Sequence, residues 1–120
     1  MLELIDGYPD EVVAVRGSGT VTADDYRDIL IPAVRRATSG GERARLLLEL
    51  TEGFEGYDAG AVRADAGLGM GHLGSFDRIA VVTDSEWLGR AVNVFGIFIP
   101  GEVRHFSSVN AEGARSWIRG

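Results

Sequence analysis

At 120 residues the chain has the length of one domain, spanning 1–120, and leaves no room for a second independent core. Hydrophobic residues make up 45% and charged residues 25%, which excludes a disordered chain, and a net charge of −6 disfavours nucleic acid and anionic lipid as partners. With no cysteine, disulfides, thiolate metal sites and cysteine nucleophiles are excluded. Every basic residue is Arg, spread from Arg16 to Arg119 without a run, as high-GC codon usage gives and a phosphate-binding tract does not. Met1 to Asp6 is acidic and lacks the basic start of a signal peptide, and no apolar stretch is long enough to span a bilayer. The expected location is the cytoplasm, with any membrane contact peripheral.

Leu2-Glu3-Leu4-Ile5 predicts a short strand, Gly7-Tyr8-Pro9-Asp10 a turn, and Glu11 to Arg16 a second strand. So short a connection joins antiparallel neighbours, so the chain opens with a β-hairpin. Thr22, with Asp25 three residues on, starts a helix. Tyr26, Ile29, Leu30, Ala33, Val34 and Ala37 continue it at helical spacing. Pro32 removes a backbone donor inside that pattern and predicts a kink near Asp28.

Ala44 to Leu50 is apolar enough for a strand buried on both faces. A weaker, glycine-containing helix follows from Asp58 to about His72. Arg78 to Thr83 predicts another buried strand, and Ser85 to Ile99 a strongly apolar helix closed by Pro100-Gly101. Glu102 to Phe106 is more polar, as an edge strand is. Asn110 then caps a last helix with Ala114, Trp117 and Ile118 inward. The order is β-β-α-β-α-β-α-β-α, an α/β chain with a mixed sheet.

Phe54-Glu55-Gly56-Tyr57, His72 before Ser75-Phe76-Asp77-Arg78-Ile79-Ala80-Val81-Val82-Thr83-Asp84, Trp87, Pro100 to Arg104 and Ala114…Trp117 resemble the SpoIIAA-like family, a STAS-type, anti-sigma-factor-antagonist-related group. The resemblance covers nearly the whole chain and is most specific from Phe76 to Trp87. It implies a four- or five-stranded mixed sheet with the helices mainly on one face. Antagonists of this type carry a phosphorylatable Ser in an Asp-Ser-Ser-Gly stretch at the start of the second helix. Here that place reads Tyr57-Asp58-Ala59-Gly60, so the phosphorylation switch does not carry over. Asp58 either mimics a permanent negative charge or is an ordinary N-cap.

Little in the sequence supports catalysis. Gly69 to Gly74 spells G-x-G-x-x-G, but a dinucleotide site needs that turn between a strand and a helix, and here the order is reversed. His72 is either a helix-terminal structural residue or the polar group of a pocket. Neither His72 nor His105 has a second ligand at metal-binding spacing, and no nucleophile stands in an elbow motif. The expectation is a non-enzyme with no cofactor, no metal and no catalytic residue.

The helix over 85–99 is the informative segment. Stepping ~100° per residue from Trp87, the residues Trp87, Phe98, Ala91, Phe95, Leu88, Ile99 and Val92 share one arc. Glu86, Gly89, Arg90 and Asn93 fill the opposite stripe. The arc spans ~160°, wider than the ~100° that packing on a sheet requires. Three uses fit: generous burial in the core, the wall of an apolar pocket, or a face presented to a membrane or a second subunit. Gly89 and Gly96 would let such a helix move as a lid. The leading expectation is a non-catalytic binding module that holds an apolar, lipid-like small molecule or touches a membrane through Trp87, Leu88, Phe95, Phe98 and Ile99. The alternative is a protein–protein regulatory module with Tyr57 and Asp58 on its partner surface; a homodimer burying the apolar arc is the third.

Overall fold

In a computed structural model, residues 1–41, 43–57, 76–86, 88–90 and 101–120 are described, and from Thr51 to Tyr57 the description is of the main chain. β1, Leu2–Leu4, pairs antiparallel with β2, Val12–Val21, with Leu2 opposite Gly17. The connection turns at Gly7, whose φ of 97° lies in the left-handed region open to glycine. β3, Ala44–Tyr57, β4, Phe76–Val82, and β5, Glu102–Phe106, follow in parallel, so the five strands lie side by side in chain order. The expected mixed sheet with its N-terminal hairpin is present, and the polar last strand is an edge. Two strands run on where sequence pattern ends. β2 continues through Gly17 to Val21 and β3 through Thr51 to Tyr57, paired across register shifts on either side of Gly19. Such bulges break the alternation on which a strand is recognised.

Between β2 and β3 the chain is helical in three consecutive segments: Ala23–Asp25, a π-helical turn at Tyr26–Leu30, and Ile31–Ala37. Thr22 and Asp25 close a capping box, Asp25 N–H donating to Thr22 Oγ1 at 3.3 Å and Thr22 N–H to Asp25 Oδ2 at 2.8 Å. Burial works to raise the Asp25 carboxyl, but the Thr22 donors and the amino terminus outweigh it and hold the group below its ordinary value. The kink expected at Pro32 takes the form of the π turn, in which Ile31 N–H reaches back to the Tyr26 carbonyl. Widening the helix just before the ring accommodates Pro32 while the apolar register continues through Ala33 and Val34.

Alternation in β2 and β3 gives the sheet two apolar faces. Val13, Val15 and Leu46 join Tyr26, Leu30, Ala33 and Val34 of the first helix on one side. Val12, Ala14, Leu47, Ala80 and Val82 meet Ala114 and Ile118 of the C-terminal helix, Ala111–Arg119, on the other. The two described helices are thus divided between the faces, which corrects the expectation of helices mainly on one. The cause is that both rows of β2 and β3 are apolar and each needs a cover. Asn110 stands at the cap position of the C-terminal helix but makes no side-chain cap bond; its amide donates to Ser107 Oγ at 3.2 Å, within a 3-10 turn over Ser108–Asn110.

One charge lies inside this arrangement. Glu49, 5% exposed, faces the C-terminal helix, and its Oε1 accepts from Arg115 Nη2 at 2.7 Å. Arg115 also donates to Glu112, and the two carboxylates hold its guanidinium well above the usual pKa. Glu49 Oε2 accepts no hydrogen bond; the Arg16 guanidinium stands 3.9 Å away. Among the described residues no helix is long and apolar enough to cross a membrane.

Candidate functional site

In parallel sheets, ligand sites form in the crevices outside the carboxyl ends of the strands, where connecting loops diverge. At this end β4 passes through Thr83 and Asp84 into the helix expected over 85–99, of which residues 86 and 88–90 are described as helical. Thr83 is buried and is the junction of three elements. Its N–H donates to the Phe106 carbonyl at 2.9 Å, its Oγ1 accepts from Ser85 N–H at 3.1 Å, and its carbonyl lies 2.8 Å from His105 Nε2. Because a carbonyl can only accept, that imidazole nitrogen carries the proton.

The loops after β4 and β5 are tied together by Asp84, which accepts from Ser108 Oγ at 2.6 Å and from Ser108 N–H at 2.8 Å. Those two bonds, the hydroxyl first, hold the exposed Asp84 carboxyl below its ordinary value. Ser85 starts the helix: its Oγ accepts from Leu88 N–H at 3.4 Å, and its carbonyl from Gly89 N–H at 3.0 Å. Gly89 is buried against His105. A Cβ there would stand 2.8 Å from His105 Cε1 and 3.0 Å from Nδ1, so only glycine lets the helix come this close to β5. An open hollow of about 340 Å³ lies beside this contact, lined by Glu86, Gly89, Arg90 and His105.

The Gly89 contact changes the view of the helical stripe. Gly89 was expected on the polar, outward side and as part of a movable lid; instead it is the seat of the helix on the sheet edge. Leu88 is half-buried beside it, while Glu86 and Arg90 are exposed. Trp87, Phe95, Phe98 and Ile99 lie outside the described residues, as do His72 and Asp58. Tyr57 is the last residue of β3, with its main chain paired to Val21. Sequence reasoning missed the joints made by Thr83, Asp84, His105 and Ser108, because their partners are more than twenty residues apart and follow no motif. Chemically this corner positions elements. His105 Nε2–H is committed to a main-chain carbonyl, both Asp84 oxygens are engaged, and no three His, Asp or Glu side chains among the described residues are grouped to hold a metal ion.

Comparison with known proteins agrees with this architecture. Residues 12–119 match the family model described as SpoIIAA-like. A crystal structure of an uncharacterized protein of the DUF3478 family with a SpoIIAA-like fold, from Shewanella loihica PV-4, superposes with a TM-score of 0.77 at 25% identity. The match covers 98% of this chain and 92% of that one. No curated protein matches.

Proposed function

The chain belongs to the SpoIIAA-like family, and from that premise we propose that it is a non-catalytic STAS-type binding module that takes up an apolar, lipid-like molecule or surface through the helix at 85–99. The fold itself supports a binding role without catalysis. The observation that carries the finer reading is the burial of Gly89 on His105. On a wheel of ~100° per residue, Trp87 and Phe98 stand roughly opposite Gly89. A helix seated on β5 through Gly89 therefore does not need those two aromatic residues for that contact. Large apolar side chains not spent on the sheet are what an apolar ligand uses. The net charge of −6 works against electrostatic docking on anionic lipid, so contact with a membrane would come from apolar insertion.

Native mass spectrometry of freshly purified protein, compared with the denatured mass, tests the reading. A monomer carrying mass that is lost on denaturation is the expected result. Phe95→Ser/Phe98→Ser should lose that mass while the urea midpoint moves little. Equal losses of ligand and stability would return both residues to the core and overturn the proposal.

A second reading, a protein–protein regulatory module working through 55–60, has one supporting observation: β3 extends to Tyr57, so Asp58 directly follows the carboxyl end of a parallel strand. It requires a partner whose affinity falls on Tyr57→Ala and Asp58→Ala while Phe98→Ser leaves it unchanged.

A further inference from the structure

We infer that the sheet face bearing the C-terminal helix docks an acidic polypeptide segment around Trp117, a surface separate from the helix at 85–99. The sequence scatters its arginines, and the fold gathers several of them here. Arg45 of β3 and Arg78 of β4 are direct cross-strand partners, a like-charge juxtaposition that is unfavourable unless each charge is answered. Glu11 answers Arg45 at 2.9 Å. No carboxylate among the described residues answers Arg78. Its Nη1 donates to the Trp117 carbonyl at 2.8 Å, and its guanidinium lies over the Trp117 ring, 5.3 Å from the centroid.

Arg104 covers the same ring at 4.7 Å, with Glu102 3.5 Å away. Arg119, exposed at the end of the helix, rests on the Tyr8 ring at 4.5 Å and likewise has no carboxylate partner among the described residues. Guanidinium groups stacked on aromatic rings keep their in-plane N–H donors free for a carboxylate. Beside them opens a hollow of about 500 Å³ into which Arg43, Arg45 and Arg78 project; Asp77 engages Arg43 at 3.0 Å. A half-buried Trp flanked by Arg has the composition of the energetic centre of a protein interface.

Charge complementarity selects the occupant. The molecule carries 18 acidic and 12 basic residues, so a cluster with two unanswered guanidiniums is an island of the opposite sign. Such an island steers a short acidic segment into register, while the net charge of −6 repels a long polyanion such as nucleic acid.

The probe is a fluorescein-labelled hexaglutamate peptide, followed by anisotropy with the full chain at low ionic strength. Binding that weakens as salt is added is expected. Arg78→Gln/Arg119→Gln should weaken it about tenfold, and Arg119→Gln alone, which leaves the Trp117 carbonyl bond in place, about threefold. Arg35→Gln/Arg36→Gln, on the first helix across the sheet, should leave it unchanged, and far-UV circular dichroism checks that every variant is folded. Absence of binding at low salt, equal loss in the Arg35/Arg36 variant, or tighter binding of an oligothymidylate of equal charge overturns the proposal.

Discussion

The two faces of the sheet are covered in different ways. On the first-helix side the contact is apolar throughout, Val13, Val15 and Leu46 against Tyr26, Leu30 and Val34, and the helix is held at its start by a capping box. On the other side a shorter helix contributes Ala114 and Ile118, and a buried carboxylate does the rest through Arg115. An apolar contact tolerates small shifts of register, because dispersion and water exclusion have little direction. A buried ion pair does not, because both groups were desolvated to make it and only the observed geometry compensates. The C-terminal helix is therefore the more exactly placed of the two and the one more easily lost to a single substitution.

Four measurements sharpen or break this contrast. Leu47→Ala beneath the C-terminal helix and Leu30→Ala in the first should each cost about 3 kcal/mol in urea unfolding, both side chains being buried. A much smaller cost for one would mean that its face is loosely packed. Arg115→Ala should cost about 2 kcal/mol, below the usual figure for a fully buried pair because Arg115 is about a third exposed. Arg27→Ala, whose partners Asp24 and Asp28 are solvated, should cost under about 0.5 kcal/mol. Replacing both Glu49 and Arg115 with Leu should recover most of the Arg115→Ala loss, and failure to do so would assign the pair a net attractive role.

Gly89→Ala forces His105 aside and should cost about 1–2 kcal/mol; a neutral result would show that the imidazole can leave Gly89 freely. The smallest effect concerns Asp84. Its folded carboxyl titrates below the ordinary value of 3.8, so it contributes stability above that pH and the contribution disappears as pH falls through the folded value. Asp84→Asn should therefore flatten the acid limb of the stability curve below about pH 4. An unchanged limb would mean that the Ser108 bonds persist with the protonated group.

Much of this was legible in the sequence, for identifiable reasons. The hairpin, the Thr22–Asp25 box, the buried strands and the edge position of β5 are encoded locally, in turn residues, capping spacing and runs of Val and Leu. The continuation of β2 past Arg16 and of β3 past Leu50 was not, because Gly17 to Thr20 and Thr51 to Gly56 are glycine-rich and polar and pair across bulges. Glu49 was hidden inside a leucine run, and its partner Arg115 lies 66 residues away. The clustering of Arg45, Arg78 and Arg104 is likewise a product of strand register. The candidate site was half legible: the apolar arc of 85–99 is a matter of periodicity, whereas the seating of Gly89 on His105 arises only when β5 is laid beside β4.

The π turn at Tyr26–Leu30 has a consequence for how this gene can change. A five-residue turn in an α-helical frame amounts to one residue inserted without a loop to absorb it. Deleting a codon between Arg27 and Leu30 would restore a regular α-helix and turn everything after it by about 100°. Ala33 and Val34 would leave the sheet, and Arg35 and Arg36 would swing toward it. A lineage that acquired the extra residue together with Pro32 thus cannot discard it in one step, so the turn, though it bears no chemistry, should persist in the family as a marker of descent.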